Sequence, residues 1–238
     1  MISVCIATYN GQAFIQDQLI SVLSQLGTSD EVLVSDDGSS DNTIKIIRAI
    51  EDSRIKILPL SNTRLGIVKN FERTLSAASG DYIFLCDQDD IWLENKVNRT
   101  IESLRYSVLT VSDCKVVDAN LLEVSPSFFA LRNSGPGFIR NLYKNAYLGC
   151  CIAFRKELMS YILPFPQSAP MHDMWIGLIA QTVGRVSFIR EPLVLYRRHG
   201  KNASSTAEKS NFSLYKQIKI RLVLCCLVIL RYIRNTVR

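Results

Sequence analysis

Three carboxylates fall within four residues at Asp87-Gln88-Asp89-Asp90, and two more stand side by side at Asp36-Asp37. Each cluster follows a short apolar run, and Asp113 follows a further one. Neighbouring carboxylates repel one another, and a divalent cation is the simplest compensation. No group of His or Cys residues stands with them in the sequence, Cys86 before Asp87 being a lone one, and oxygen donors suit Mg²⁺ or Mn²⁺. Such ions keep few protein ligands and share the rest with phosphate oxygens, which points to a nucleoside diphosphate. The chain holds no Gly-rich phosphate loop ending in Lys-Ser/Thr, and no G-x-G-x-x-G follows its first strand. ATPase and dehydrogenase chemistry are thereby disfavoured. Asp is also common in turns and at helix N-caps, and for Ser40 and Asp41 a cap on the next helix explains the residues equally well.

The elements that must hold these carboxylates alternate along the first half of the chain. Ile2 to Ala7, Glu31 to Ser35, Arg54 to Leu58 and Tyr82 to Cys86 read as buried strands. Ile15, Leu19, Val22 and Leu26, then Thr43, Ile47 and Ile50, then Ile67, Phe71, Leu75 and Ala78 fall at helical spacing, with Gly27 and Gly80 as stops. Apolar strands separated by helices predict an α/β fold with a mainly parallel, Rossmann-like sheet covered on both faces. Ligands of such a sheet bind beyond the carboxyl ends of its strands, where both acidic clusters lie. After Asp113 the rhythm breaks. Residues 118–147 read as a loop-rich excursion, Leu148 to Phe154 as a strand, and His172-Asp173 as the start of a helix. Val186 to Ile189 is expected as the last strand, and residues 202–213 as a polar linker.

Hydrophobic residues make up 47% of the 238 and charged residues 21%, a globular composition rather than a disordered one. Seven cysteines with no C-x-x-C pair argue against a disulfide scaffold or zinc ribbon and fit a reducing compartment. The start, MISVCIATYN, has neither a basic stretch nor a cleavage site, so no signal peptide is expected. The net charge of +6 comes from residues 212–238, which hold Lys216, Lys219, Arg221, Arg231, Arg234, Arg238 and no acid. The remaining body is neutral, which argues against a nucleic-acid partner. Leu222 to Leu230 is an uninterrupted apolar run between Arg221 and Arg231. As a helix it rises about 14 Å against a bilayer core of about 30 Å, so it should not span. Shallow insertion with basic ends on anionic headgroups is the expected role, and packing on the protein is the alternative.

Ala7-Thr8-Tyr9-Asn10-Gly11, Asp36-Asp37-Gly38-Ser39-Ser40-Asp41, and Gly80-Asp81-Tyr82 running into Asp87-Gln88-Asp89-Asp90 occur in that order. Together they resemble glycosyltransferase family 2, with the GT-A fold, over residues 2–200. The resemblance implies a GT-A domain at residues 1–203, then a linker and basic C-terminal helix at 204–238. It implies that Thr8 and Tyr9 bind the nucleotide, with Tyr9 against the base, and that Asp36 or Asp37 bonds base or ribose. Asp87-Gln88-Asp89 resembles the family's Asp-x-Asp motif, with Asp89 the direct ligand of Mn²⁺ or Mg²⁺ and Asp87 shared between metal and nucleotide. His172-Asp173 resembles the later acidic motif whose Asp is the general base. Arg64, Lys69 and Asn70 sit where members approach the donor phosphates or sugar. Tyr196-Arg197-Arg198-His199-Gly200-Lys201-Asn202 is a basic stretch in which Arg197 and Arg198 suit a diphosphate and His199 the metal. The implied reaction is a single inverting displacement, with the metal stabilising the leaving diphosphate and Asp173 deprotonating the acceptor.

A narrower resemblance rests on Asp87-Gln88-Asp89-Asp90-Ile91-Trp92, His172-Asp173-x-Trp175 and Tyr196-Arg197-x-His199-Gly200-x-Asn202. These look like the bacterial rhamnosyltransferase branch, which uses dTDP-L-rhamnose to build O-antigen or other surface polysaccharide. That implies a lipid-linked or oligosaccharide acceptor and a cytoplasmic enzyme, peripheral on the inner face of the cell membrane. The Gln-x-x-Arg-Trp motif of processive synthases is missing, which favours single addition. Trp92 and Trp175 fit an acceptor site or simple packing equally well. Competing expectations are a UDP-sugar-dependent hexosyltransferase, a non-catalytic sugar-nucleotide binder, and a phosphoacceptor receiver-like domain.

Overall fold

The structure is a computed structural model that describes residues 1–61, 63–200 and 214–236. In chain order its elements are β1 (Ile2–Thr8), α1 (Ile15–Leu23), β2 (Glu31–Asp36), α2 (Thr43–Ala49), β3 (Ile55–Ile57), α3 (Ile67–Ala77), β4 (Tyr82–Asp87) and β5 (Ile91–Trp92). There follow α4 (Lys96–Leu104), β6 (Leu109–Val117), β7 (Glu123–Ser125), α5 (Phe128–Arg132), α6 (Phe138–Tyr143), β8 (Ile152–Arg155), α7 (Met159–Ile162), α8 (His172–Val183), β9 (Val186–Arg197) and α9 (Leu214–Thr236). Single 3-10 turns occupy Gly149–Cys151 and Lys156–Leu158.

The strands lie side by side in the order β3-β2-β1-β4-β8-β6-β9-β5, with β7 pairing β6. The four N-terminal strands are mutually parallel, as their apolar runs predict, because α1, α2 and α3 supply the crossovers. β8 then runs antiparallel between β4 and β6, so the second half of the sheet is mixed. Val4, Ile6, Val32, Val34, Phe84 and Leu85 are buried at the centre, against Leu19 and Val22 of α1 and Phe71 and Leu75 of α3. Burial of each such side chain contributes about 1.5–3 kcal/mol.

Register decides where the chemistry falls. Thr8 stands beside Asp36, and Ala7 beside Asp87, so three motifs meet at one edge of the sheet. β9 is longer than the apolar run Val186 to Ile189. It shifts register against β6 near Pro192 and continues to Arg197, pairing β5 on its other side. Tyr196 and Arg197 therefore lie within the last strand and not after it. Asp113 also departs from expectation, for it lies inside β6 where the register shifts. Its carboxylate accepts from the Ser127 hydroxyl and from the Phe129 N–H, fixing the start of α5.

The tail packs on the body. α9 lies against α6, α7 and α8, with Leu224 and Val228 buried in the common core. Arg221 donates to the Tyr143 carbonyl, and Arg231 donates to those of Tyr161, Leu163 and Pro164. The expectation that these two arginines meet headgroups is thereby corrected, because the exposed carbonyls of α6 and of the α7 end claim them. Among the described residues no helix is long and apolar enough to cross a membrane. The polar linker expected at 202–213, and Lys201 and Asn202 of the basic motif, fall outside the described residues.

Candidate active site

Two loops and two helix starts close over the carboxyl edge of β1, β2 and β4. Asp36 builds the first loop. Its Oδ1 accepts from the Thr8 hydroxyl at 2.9 Å, and its Oδ2 from the N–H groups of Gly38 and Ser39 at 3.0 and 2.8 Å. Asp37 reaches the other way and accepts from the N–H groups of Leu65 and Gly66 at 2.6 and 2.9 Å. That bond draws Arg64 inward. Its guanidinium lies 3.8 Å from the centre of the Tyr9 ring and 3.8 Å from Asp37 Oδ2. Tyr9, 37% exposed, is thus an aromatic platform with a cation on its face. The N-cap of α2 is Asn42, which makes no side-chain cap bond, and not Asp41 or Ser40; Asp41 stands one residue earlier, and its carboxylate accepts from the Thr43 N–H.

The second loop follows β4. Asp87 is partly exposed, while Asp89 and Asp90 are buried. Burial, Asp89 and Asp173 push the Asp87 carboxyl well above the usual range. Burial, Asp89 and Asp87 do the same to Asp90. His199 Nε2 lies 2.8 Å from Asp89 Oδ2, and its ring stacks on Phe14 at 4.8 Å. An imidazole against a carboxylate beside a second carboxylate is a donor set that suits Mn²⁺ or Mg²⁺, so the residues present fit the metal the resemblance implies.

On the far side α8 opens with His172 and Asp173, both buried. Asp173 Oδ1 accepts from the Met174 N–H at 2.6 Å, and burial pushes the carboxyl up to about 7. His172 stacks on Phe71 at 4.0 Å, and burial pulls its ring down to about 3, so it is neutral. Gly149 passes so close that an added Cβ would lie 3.0 Å from His172 Nε2.

Two residues expected at the donor are spent elsewhere. Asn70 is buried, and its amide donates to the Ser35 carbonyl at 2.8 Å, tying α3 to the end of β2. Arg197 is also buried. Its backbone N–H donates to Asp90 Oδ1, its Nε to the Asp89 carbonyl and its Nη1 to the Ala119 carbonyl, each at 2.9 Å. It clamps the acidic loop to the end of β9. Lys69 pairs with Glu72 on its own helix. Arg198 is partly exposed beyond this clamp. Trp92 and Trp175 are both buried, and Trp175 Nε1 donates to the Ile162 carbonyl, so packing accounts for them.

Gln88 makes a contact at this edge that spacing alone misses. Its amide oxygen accepts from the Tyr9 N–H at 2.9 Å and its amide nitrogen donates to the Tyr9 carbonyl at 3.1 Å. It joins the Tyr9 loop to the acidic loop. A Cβ at Gly11 would overlap the Gln88 amide, so any larger residue there would displace that side chain. The Tyr9-x-Gly11 spacing is the only trace of this contact in the sequence.

Known proteins bear on this geometry. The model for "Glycosyl transferase family 2" matches residues 3–162. The chain belongs to that family. It is 30% identical over 213 residues to the dTDP-rhamnosyl transferase RfbG of Shigella flexneri, covering 82% of this chain and 72% of that one. It is 28% identical over 183 residues to the UDP-Glc:alpha-D-GlcNAc-diphosphoundecaprenol beta-1,3-glucosyltransferase WfgD of Escherichia coli, covering 75% and 70%. Among solved structures, S. aureus TarS 1-349 in complex with UDP-GlcNAc superposes with TM-score 0.71 at 22% identity, over 94% of this chain and 66% of that one. The mannosyltransferase PcManGT of Pyrobaculum calidifontis, in complex with GDP-Man and Mn²⁺, gives TM-score 0.61 at 18% identity, over 100% and 64%. The fold is the GT-A fold, and the chain spans about two thirds of each of these solved chains.

Proposed function

We propose that the protein transfers one sugar, with inversion, from a nucleoside-diphosphate donor to a saccharide acceptor in bacterial surface polysaccharide synthesis. The observation that carries this reading is the pairing of Asp89–His199, 2.8 Å apart, with Asp173, a carboxyl raised to about 7 close enough to Asp87 to act on its charge. Tyr9, Arg64 and Asp37 hold the base and ribose, and Arg198 meets the diphosphate. Asp87, Asp89 and His199 hold Mn²⁺ or Mg²⁺, which supplies the charge that stabilises the leaving diphosphate. Asp173 uses Oδ2, since Oδ1 is held by Met174, to take the acceptor hydroxyl's proton. A base whose pKa sits near the working pH is the efficient choice.

For the donor, dTDP-L-rhamnose is supported by the likeness to the Shigella protein and by the Tyr196-Arg197-x-His199-Gly200 motif. A UDP-hexose is the second reading, supported by the likeness to the Escherichia glucosyltransferase. Purified protein with each donor and a lipid-linked acceptor, with and without Mn²⁺, tests both. Transfer from dTDP-rhamnose supports the first, and transfer from UDP-glucose alone selects the second. Failure to transfer or hydrolyse any nucleotide sugar overturns the enzyme reading.

A place on the inner face of the membrane belongs to the same reading. α9 turns Ile218, Leu222, Ile229, Leu230 and Ile233 outward, and the helix holds no acid. An apolar face with basic residues on an acid-free helix suits an anionic bilayer surface that carries a lipid-linked acceptor. Co-sedimentation with anionic vesicles, lost on Leu222→Ser with Ile229→Ser, is the expected result. Unchanged sedimentation of that variant rejects it.

A further inference from the structure

Behind the exposed edge of the acidic loop lies a group that glycosyl transfer does not use. Asp87, Asp90 and Cys150 bring one oxygen, one oxygen and one sulfur within 4.8 Å of one another. Asp90 and Cys150 are buried, and Asp87 is the partly exposed member that opens towards the cleft. Asp90 Oδ1 is held by the Arg197 N–H. Its Oδ2 is buried with no oxygen or nitrogen partner, and the thiol of Cys150 is the group beside it. A buried carboxylate oxygen with only a weak thiol donor beside it is poorly satisfied, and such a group marks a place for an unseen ligand. Three elements deliver the three side chains. Asp87 ends β4, Asp90 lies in the turn to β5, and Cys150 sits in the 3-10 turn before β8, held against α8 by Gly149.

Donor chemistry separates this group from the Asp89–His199 pair. A thiolate disfavours the hard cations Mg²⁺ and Mn²⁺ and favours Zn²⁺ or Cd²⁺. Three protein ligands leave a fourth position facing Asp87's open side, the usual number for a zinc site with an exchangeable ligand. We infer that Asp87, Asp90 and Cys150 form a second cation site, selective for thiophilic divalent ions, whose occupation draws Asp87 away from the Asp89–His199 pair. On binding, the sulfur–metal bond forms as the thiol proton leaves to solvent. The site stands on its own geometry, and only its inhibitory consequence rests on the metal-dependent transfer proposed above.

The test begins with binding to the full chain. Cd²⁺ titration is followed by the ultraviolet charge-transfer absorption of the cadmium–thiolate bond. One saturable equivalent is expected for the wild type and for Cys226→Ser, a change on the exposed face of α9, and none for Cys150→Ser. ¹¹³Cd NMR of the unmutated protein reads the same site without depending on a variant's folding, and a resonance from one sulfur among oxygens is expected. A band that survives Cys150→Ser, or a resonance from oxygens alone or from several sulfurs, overturns the site. Turnover then reads the consequence. Zn²⁺ should compete with Mn²⁺, and its half-inhibiting concentration should rise at least about tenfold in Cys150→Ser, since losing even an outer-shell partner of a bound metal costs about that much. Equal inhibition of both proteins removes the regulatory consequence. A protein that shows the band but no nucleotide-sugar turnover leaves the cation site standing and removes the transfer reading instead.

Discussion

β2 begins on a carboxylate and β4 ends on one, and the two edges of the sheet treat that group in opposite ways. At the amino edge Glu31 is buried, yet every oxygen is answered. Oε1 accepts from the Ser3 hydroxyl and from both the N–H and hydroxyl of Ser79, and Oε2 from Lys56 Nζ. Burial pushes its pKa up, but these bonds outweigh burial and hold the carboxyl down to about 2. At the carboxyl edge Asp87 and Asp90 are pushed well up, and Asp90 Oδ2 has only the Cys150 thiol beside it. One carboxylate stabilises the fold, and the others are kept at its expense. Charge left unanswered beside a cleft is what a cation or a proton in transit requires.

The comparison is broken most severely at the unanswered end. Asp89→Asn removes the charge that faces His199, and metal-dependent transfer should fall below detection, with nucleotide binding no longer sensitive to Mn²⁺. Turnover assays and isothermal titration with and without the ion check this. Near-normal turnover would falsify the Asp-x-Asp assignment.

Asp173→Asn should cut turnover by about 10²–10⁴ while donor binding survives, because the amide keeps the shape but takes no proton. The same change should stabilise the fold. Asp173 has a native pKa near 7 against about 3.9 unfolded, so between those values the native state binds more protons. Wild-type stability therefore falls as pH rises from about 4 to 7, by up to about 4 kcal/mol. The amide has no such dependence. Melting curves at pH 5 and pH 8 should show the variant's gain on the wild type to be larger at the higher pH. The acid limb of kcat/KM near pH 7 should disappear with it.

Much of this was legible in the sequence, for physical reasons. Buried parallel strands must be continuous apolar runs, so β1, β2 and β4 announce themselves, and with them the carboxylates at their ends. β5 has two residues, too few for any period, and β9 passes through Glu191-Pro192 before turning apolar again. Asp36 and Asp37 differ only in which way the loop turns, and Arg197 reads as a surface cation until its strand is seen to continue. Long-range contacts such as Asp90 with Cys150 have no local signature, because no spacing rule joins residues 60 apart.

At the answered end the expected effects are on stability alone. Glu31→Gln keeps the shape but loses the Lys56 ion pair and offers an N–H where a hydroxyl or N–H already donates. A cost of about 1–3 kcal/mol is expected, read as a lower urea midpoint at unchanged slope. Glu31 stabilises above its unfolded pKa of about 4.3, and that contribution is lost as pH falls towards 2. The variant's deficit should therefore shrink in acid, while the KM for donor stays at the wild-type value. A changed KM would make Glu31 part of the site.

The smallest expected effect falls on the neutral residue inside the unanswered cluster. Gln88 is satisfied where its neighbours are not, bonding both peptide groups of Tyr9. Gln88→Ala gives up two hydrogen bonds on a partly wet surface, a loss of about 1 kcal/mol, so donor KM should rise about fivefold with kcat nearly unchanged. Gly11 supplies the internal check. Gly11→Ala alone forces the new Cβ against the Gln88 amide and should raise KM by the same route. In the Gln88→Ala background that obstacle is gone, so adding Gly11→Ala should cost almost nothing further. Contacting residues give interaction energies well above the few tenths of a kcal/mol scatter of independent sites. If the two effects simply add, Gln88 does not hold the base platform to the acidic loop, and the two ends of the donor site are positioned independently.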